Sequence, residues 1–271
     1  MRRLREEAGL TIEQVAERLE CSDSKISRIE NAQVRATTRD ARDMLELYGV
    51  REELRGELIQ IARDARKKGW WHTYADLPIV ALAGFEAATH SMSMYSPLVV
   101  PGLLQTEDYA RAVFSALRPD LPNEEIERRV RFRMDRQSIL IEEDPPELWI
   151  VLDESALRRA IGGTLTMRSQ LDHLIELADF PKITLQLLPF KAGAHAGLDG
   201  QFMVIRFPEI GDPDVVYLEH PTADLYLEEP ENIHRFTLLF DHLKASALNP
   251  TDSVASISEM AKDFVENKED Q

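Results

Sequence analysis

The chain has 271 residues, 44% of them apolar, which is long enough for one to three domains and sufficient to fill a sizeable core. A single cysteine, Cys21, leaves neither a disulfide framework nor a cysteine-rich metal site and fits a reducing cytoplasm, and no export signal or uncharged apolar run of about 18 residues points to a membrane. The formal net charge of −16 is unevenly spread, because residues 1–68 hold 15 Lys and Arg against 14 Asp and Glu, whereas the remainder holds 17 against 34.

The first 68 residues carry the pattern of five short helices. The first holds Leu4 and Ala8 and stops at Gly9, a residue at ease in the left-handed conformation of a helix end. Thr11 is placed to cap the second, where Ile12, Val15, Ala16 and Leu19 recur at i, i+3, i+4 and i+7. After a break at Glu20 and Cys21, Ser22 caps a third, with Ile26 and Ile29 inward and Ser24, Lys25, Ser27 and Arg28 outward. The fourth packs Ala41, Met44, Leu45 and Tyr48 and ends at Gly49. The fifth, over 52–68, turns Leu54, Leu58, Ile61, Ala62 and Ala65 inward. At Gly69 the pattern breaks into GWWHTYADLP, which sets a linker over 69–78. Its Trp70, Trp71 and Tyr74 suit docking of one domain on the other better than a ligand platform.

Residues 79–271 mix helices and strands, an α+β domain. Phe85, Ala88, Met92 and Tyr95 share a helical spacing. Pro101-Gly102 turns the chain, Thr106 caps a helix, and another runs over 123–141. ELWIVLDE is a strand, DESALRR a short helix, and residues 167–178 a longer one. KITLQLLPF, GQFMVIRF, DVVYLEH and ADLYLEE are β-branched and aromatic runs separated by Gly, Pro and Asp, which predicts a small, mainly antiparallel sheet. Two helices close the chain, the last carrying Val254, Ile257, Ala261 and Phe264, and NKEDQ reads as a disordered tail.

Two short helices separated by about three residues and sharing one small core form a helix-turn-helix, whose second helix enters the major groove of double-stranded DNA. Asp23, Ser24 and Arg28 face away from the core toward base edges, and Arg28 suits the paired acceptors of guanine. Thr11, Ser22, Lys25, Arg35 and Arg39 suit phosphate oxygens, which set position and salt dependence. A helical bundle with a solvated charged face is the competing reading.

The run LREEAGLTIEQVAERLECSDSKISRIENA resembles the phage-repressor and Xre-type helix-turn-helix family, which implies an all-α, phage-repressor-like first domain. The resemblance also implies a structural ion pair between Arg5 and Glu30. Ala32 stands where that family usually has Gly, which implies a tighter exit loop. No basic arm precedes Met1, which weakens the case for a minor-groove contact and leaves a longer N-terminus open. The segments VPGLLQTEDYARAV, RRVRFRMDRQSIL, LDESALRRAIGG and ITLQLLPFKAGAHAGLDGQFMVIRF resemble the C-terminal domain of unknown function of WhiJ-like actinobacterial regulators. That implies a developmental or antibiotic-production regulator encoded beside a small partner protein, an antitoxin-like arrangement.

In the second domain, Asp153 and Glu154 follow a strand and open a helix, where carboxylates cap free N–H groups more often than they catalyse. Seven histidines include no i, i+4 pair, so no metal site and no cofactor is assigned. The loop over 191–200 lacks the ending of a phosphate-binding loop and reads as a long β connection. Cys21 suits a small buried thiol. Arg128, Arg129, Arg131, Arg133 and Arg136 crowd one helix, either to pair with this domain's carboxylates or to meet an anionic ligand or acidic partner. Arg129, Arg133 and His195 are the candidate ligand or partner contacts.

These readings favour a cytoplasmic, homodimeric transcriptional regulator whose second domain, or last helix, makes the dimer and whose acidic part binds a small protein. A small-molecule sensor on the same DNA-binding domain is the alternative. An enzyme fused to that domain comes third, because no catalytic constellation is present.

Overall fold

Side-chain caps and apolar spacing set the helices of the first part of the chain. Arg2–Glu7 forms α1, and Gly9 follows it at φ +68°, a conformation that a Cβ would strain. In α2 (Ile12–Arg18) the Thr11 hydroxyl accepts from the Gln14 N–H while the Gln14 side chain accepts from the Thr11 N–H. Ser22 caps α3 (Asp23–Glu30) in the simpler way, accepting from the Lys25 N–H. Thr37 and Asp40 form a reciprocal cap on α4 (Thr38–Leu47), and α5 spans Glu52–Asp64. Val15, Ala16, Ile26, Ile29, Met44 and Tyr48 meet in one buried cluster that holds α2 and α3 against α4. Leu54, read as inward, is exposed, because it lies off the stripe that α5 turns to the core.

The computed structural model describes residues 1–31, 36–64, 70–74, 76–77, 80–208, 213–220 and 223–266. Ala32, Arg35, the side chains of Ile61 and Ala65, and the NKEDQ tail therefore lie outside the described residues. The chain divides into two units, Met1–His72 and Thr73–Gln271. The 70–74 segment is a 3-10 turn in which the Trp70 and Trp71 rings meet edge-on at 5.9 Å.

The second unit runs α6 (Val80–Glu86), β1 (Ser91–Ser96), α7 (Glu107–Leu117), α8 (Asn123–Arg136), β2 (Glu147–Asp153), α9 (Glu154–Arg158) and α10 (Thr164–Leu177). It continues with β3 (Ile183–Leu188), β4 (Phe202–Arg206), β5 (Val215–Leu218), β6 (Leu225–Leu227), α11 (Pro230–Ser246) and α12 (Pro250–Glu266). The six strands form one mixed sheet in the order β3-β2-β1-β4-β5-β6. The sequence expectation of a helix through Met92 and Tyr95 is corrected: those residues belong to β1, where Ser-Met-Ser-Met repeats with period two.

The KITLQLL run is also corrected, from antiparallel to parallel. β1, β2 and β3 pair in parallel, while β1–β4, β4–β5 and β5–β6 are antiparallel. Long helical crossovers join the three parallel strands, and only such connections allow that pairing. One sheet face packs Met94, Ile150, Leu185 and Ile205 against Leu171 and Leu174 of α10 and Ile257 and Met260 of α12. The other packs Val151, Val204 and Val216 against Phe240 and Leu243 of α11. The apolar stripe of α12, with Ile257, Ala261 and Phe264, is thus packed inside the unit.

Candidate nucleic-acid interface and a cavity in the second unit

The exposed side of α3 presents Asp23, Ser24, Lys25 and Arg28, while Ile26 and Ile29 anchor its opposite side in the core. Its exit is braced from α1. Arg5 donates through Nε and Nη2 to the two Glu30 oxygens at 2.8 and 2.9 Å, and through Nη1 to the Leu10 carbonyl at 2.8 Å. The hydrogen bond to Glu30 outweighs burial and raises the Arg5 pKa, so the guanidinium stays a cation. This pair ties the first helix to the end of the third and fixes the angle at which α3 faces solvent.

The outward cations differ in what already holds them. Arg28 is exposed, and no ion pair or hydrogen bond engages its guanidinium among the described residues. The Lys25 ammonium is held by Asp40 Oδ1 at 2.6 Å. Asp40 Oδ2 accepts from the Thr37 N–H and hydroxyl at 3.1 and 2.7 Å, so the same carboxylate caps α4 and restrains Lys25. Arg39 is 88% exposed at its side chain and stands 3.6 Å from Asp43, a loose i, i+4 pair. The Ser22 hydroxyl oxygen accepts from the Lys25 N–H, which leaves its O–H able to donate to an anion, whereas the Thr11 hydroxyl accepts from the Gln14 N–H and is already hydrogen-bonded to Glu13.

In the second unit, a turn over Gly102–Leu104 is strapped against α8 and α10. Gln105 Nε2 donates to the Val100 carbonyl at 2.6 Å, Gln137 Nε2 to the Gly102 and Gln105 carbonyls at 2.9 and 2.7 Å, and Gln170 Nε2 to the Leu104 carbonyl at 2.7 Å. Between that turn, α8 and the ends of β1, β4 and β5 lies a cavity of about 80 Å³, lined among others by Arg133, Arg136, Leu82, Met94 and Phe202. Arg133 donates through Nη1 to Gln105 Oε1 at 2.6 Å and stacks on the Phe114 ring at 4.1 Å. Burial, reinforced by the like charge of Arg136, pushes the Arg133 guanidinium down to about 9, and it remains a cation at neutral pH.

Known families cover both units. A family described as a helix-turn-helix domain matches residues 1–58, and one described as a domain of unknown function (DUF5753) matches residues 79–259. The chain belongs to the DUF5753 family. No curated protein and no solved structure matches it. With its helix-turn-helix unit, this DUF5753 protein is a DNA-binding regulator. Among the described residues, no helix is long and apolar enough to cross a membrane.

The remaining sequence candidates of the DUF5753 unit scatter. Arg129 pairs with Glu125 at 3.2 Å and does not line the cavity that holds Arg133. Arg128 is held by Asp76 at 2.6 Å, and Arg136 by Glu86. His195 stands 3.5 Å from Asp153 and edge-on to Tyr95, where its Nδ1 accepts from the Gly197 N–H, so it packs the 191–200 loop onto β1 and does not reach the cavity. A Cβ on Gly197 would stand 2.4 Å from the Tyr95 ring, so only glycine lets the loop pass. Asp153 Oδ1 accepts from the Ser155 N–H and caps α9, while Glu154 binds Arg158 and the Phe190 N–H. Sequence reasoning missed two residues that matter: Asp40, signalled by the Thr-x-x-Asp spacing of a cap, and Glu86, which lies 50 positions from Arg136 and gave no local signal.

Proposed function

We propose that this protein is a sequence-specific, Xre-type transcriptional regulator that binds a near-palindromic operator as a homodimer in the cytoplasm, without catalysis of its own. The observation that carries the reading is Arg28, exposed and unengaged among the described residues on the outer face of α3 in a helix-turn-helix, where its planar fork suits guanine O6 and N7. Two copies would set their α3 helices about one helical turn of DNA apart. The acidic second unit repels DNA and so favours approach by the first unit alone.

For the second unit, the arginine-lined cavity favours small-molecule sensing. The WhiJ-like, antitoxin-like reading with a small protein partner rests on the sequence resemblance alone. Selection of bound DNA from a random pool tests the regulator. Enrichment of a two-half-site motif supports it, and a pool that stays random at moderate salt contradicts it. Co-purification of a stoichiometric small protein would favour the partner reading over sensing.

A further inference from the structure

The cavity has walls of two kinds. Leu82, Met94, Leu103, Phe202 and Met203 make most of it apolar. Two guanidinium groups converge beside the turn that closes it, since a Cβ built on Gly102 would stand 3.1 Å from Arg136 Nη2 and 3.3 Å from Arg133 Nε. Glycine at 102 is what lets both come so close to the backbone.

The polar bookkeeping inside is incomplete. Arg136 is 5% exposed, and its Nε lies 2.9 Å from Glu86 Oε2, yet the N–H does not point at that oxygen. Arg136 Nη1 and both Glu86 oxygens have no hydrogen-bond partner among the described residues. Burial pushes the Glu86 carboxyl pKa up, as expected where hydrogen bonds are missing. A buried ion pair kept only for structure is normally completed by hydrogen bonds, because unpaired buried charge is costly. Among the described residues neither guanidinium is hydrogen-bonded to a carboxylate: Glu86 faces Arg136 without a hydrogen bond, and the main opposing charge on Arg133 is Glu219. Glu219, at the exposed rim, is held by Gln201 Nε2 at 3.1 Å.

We propose that this cavity binds a small organic monocarboxylate, its carboxylate engaged by Arg133 and Arg136 and its apolar body against Met94, Leu103 and Phe202. The proposal deepens the small-molecule reading of the second unit and rests on it. Guanidinium forks match a carboxylate in two parallel hydrogen bonds. A carboxylate supplies the acceptors that the buried guanidinium donors lack, the apolar lining gives no reason to hold a bare ion, and a volume of about 80 Å³ keeps the ligand small.

The test is calorimetric titration of the full chain with propionate and butyrate beside butanamide and butylamine. At least one carboxylate is expected to bind saturably and at least about tenfold more tightly than the amide, the penalty for leaving buried donors unpaired. Arg133→Met should remove that preference. Because a core arginine variant can fail to fold, Glu219→Gln at the exposed rim provides the second arm, and loss of its negative charge should tighten carboxylate binding several-fold. Absence of binding by either carboxylate up to about 10 mM, or equal binding of acid and amide, overturns the proposal. So does a Glu219→Gln protein with unchanged affinity. DNA binding measured on the same ligand-free preparation separates the outcomes, since intact operator binding without carboxylate binding sinks this inference and leaves the regulator standing.

Discussion

Helices α3 and α8 both carry arginine, and they use it in opposite ways. On α3 a single arginine, Arg28, is exposed and unengaged among the described residues, while its neighbour Lys25 is already held by Asp40. On α8 five arginines crowd fourteen residues, yet Arg128, Arg129 and Arg136 each face a carboxylate and Arg133 is turned into a cavity. The denser charge is therefore the less available one to an external polyanion. What decides whether a cation can meet DNA is its existing partner, not the local count of positive residues.

Breaking the frame that presents α3 should have the largest effect. Glu30→Ala leaves the Arg5 guanidinium nearly buried without its counter-ion, and chemical denaturation should report a loss of about 3 kcal/mol in the first unit. A loss below about 0.5 kcal/mol would mean that the pair does not brace the fold. Next comes Arg28→Ala, which should cost about 1–3 kcal/mol of discrimination at one base of each half-site, read from competition binding with single-base operator variants.

Lys25→Ala should do less: a uniform weakening on all sequences and a fall in the salt slope of under about 1, because the ammonium must leave Asp40 before it meets a phosphate. Asp40→Asn sharpens the contrast by freeing Lys25, so its salt slope should steepen rather than flatten. A salt slope identical in wild type and both variants would show that Lys25 makes no phosphate contact.

The smallest effect is in pH. Burial raises the Asp40 pKa, but the Lys25 ammonium and the two Thr37 donors outweigh it, so the carboxyl titrates below its ordinary value. A depressed acid contributes stability above its unfolded pKa of about 3.9 and loses it as pH falls through the folded value. Wild type should therefore lead Asp40→Asn at pH 6 and converge with it under acid. The raised Lys25 pKa works at the other end, its contribution fading only as pH climbs past the ordinary lysine range of about 10.4.

The first unit was legible in the sequence because its determinants are local. Caps at Thr11 and Ser22, the stripe of Val15, Ala16 and Leu19, and the break at Glu20, which adopts φ +50°, all lie within one or two turns of what they control. The second unit resisted for the converse reason. Phe85, Ala88, Met92 and Tyr95 mimic a helical repeat, while the period-two signal of β1 spans only six residues. Parallel pairing of β1, β2 and β3 depends on crossovers that no short window contains. The cavity is assembled from a turn, a helix and three strand ends, so Arg133 was visible as a candidate while its partnership with Arg136 and Glu86 was not.

The central claim is that α3 reads bases through Arg28. Parallel selection from a random DNA pool with wild type and Arg28→Ala tests it most directly. Wild type should enrich a near-palindromic motif with half-sites about one helical turn apart, and the variant should enrich the same motif with one position in each half relaxed. An identical motif from both proteins, with every position retained, would contradict the assignment.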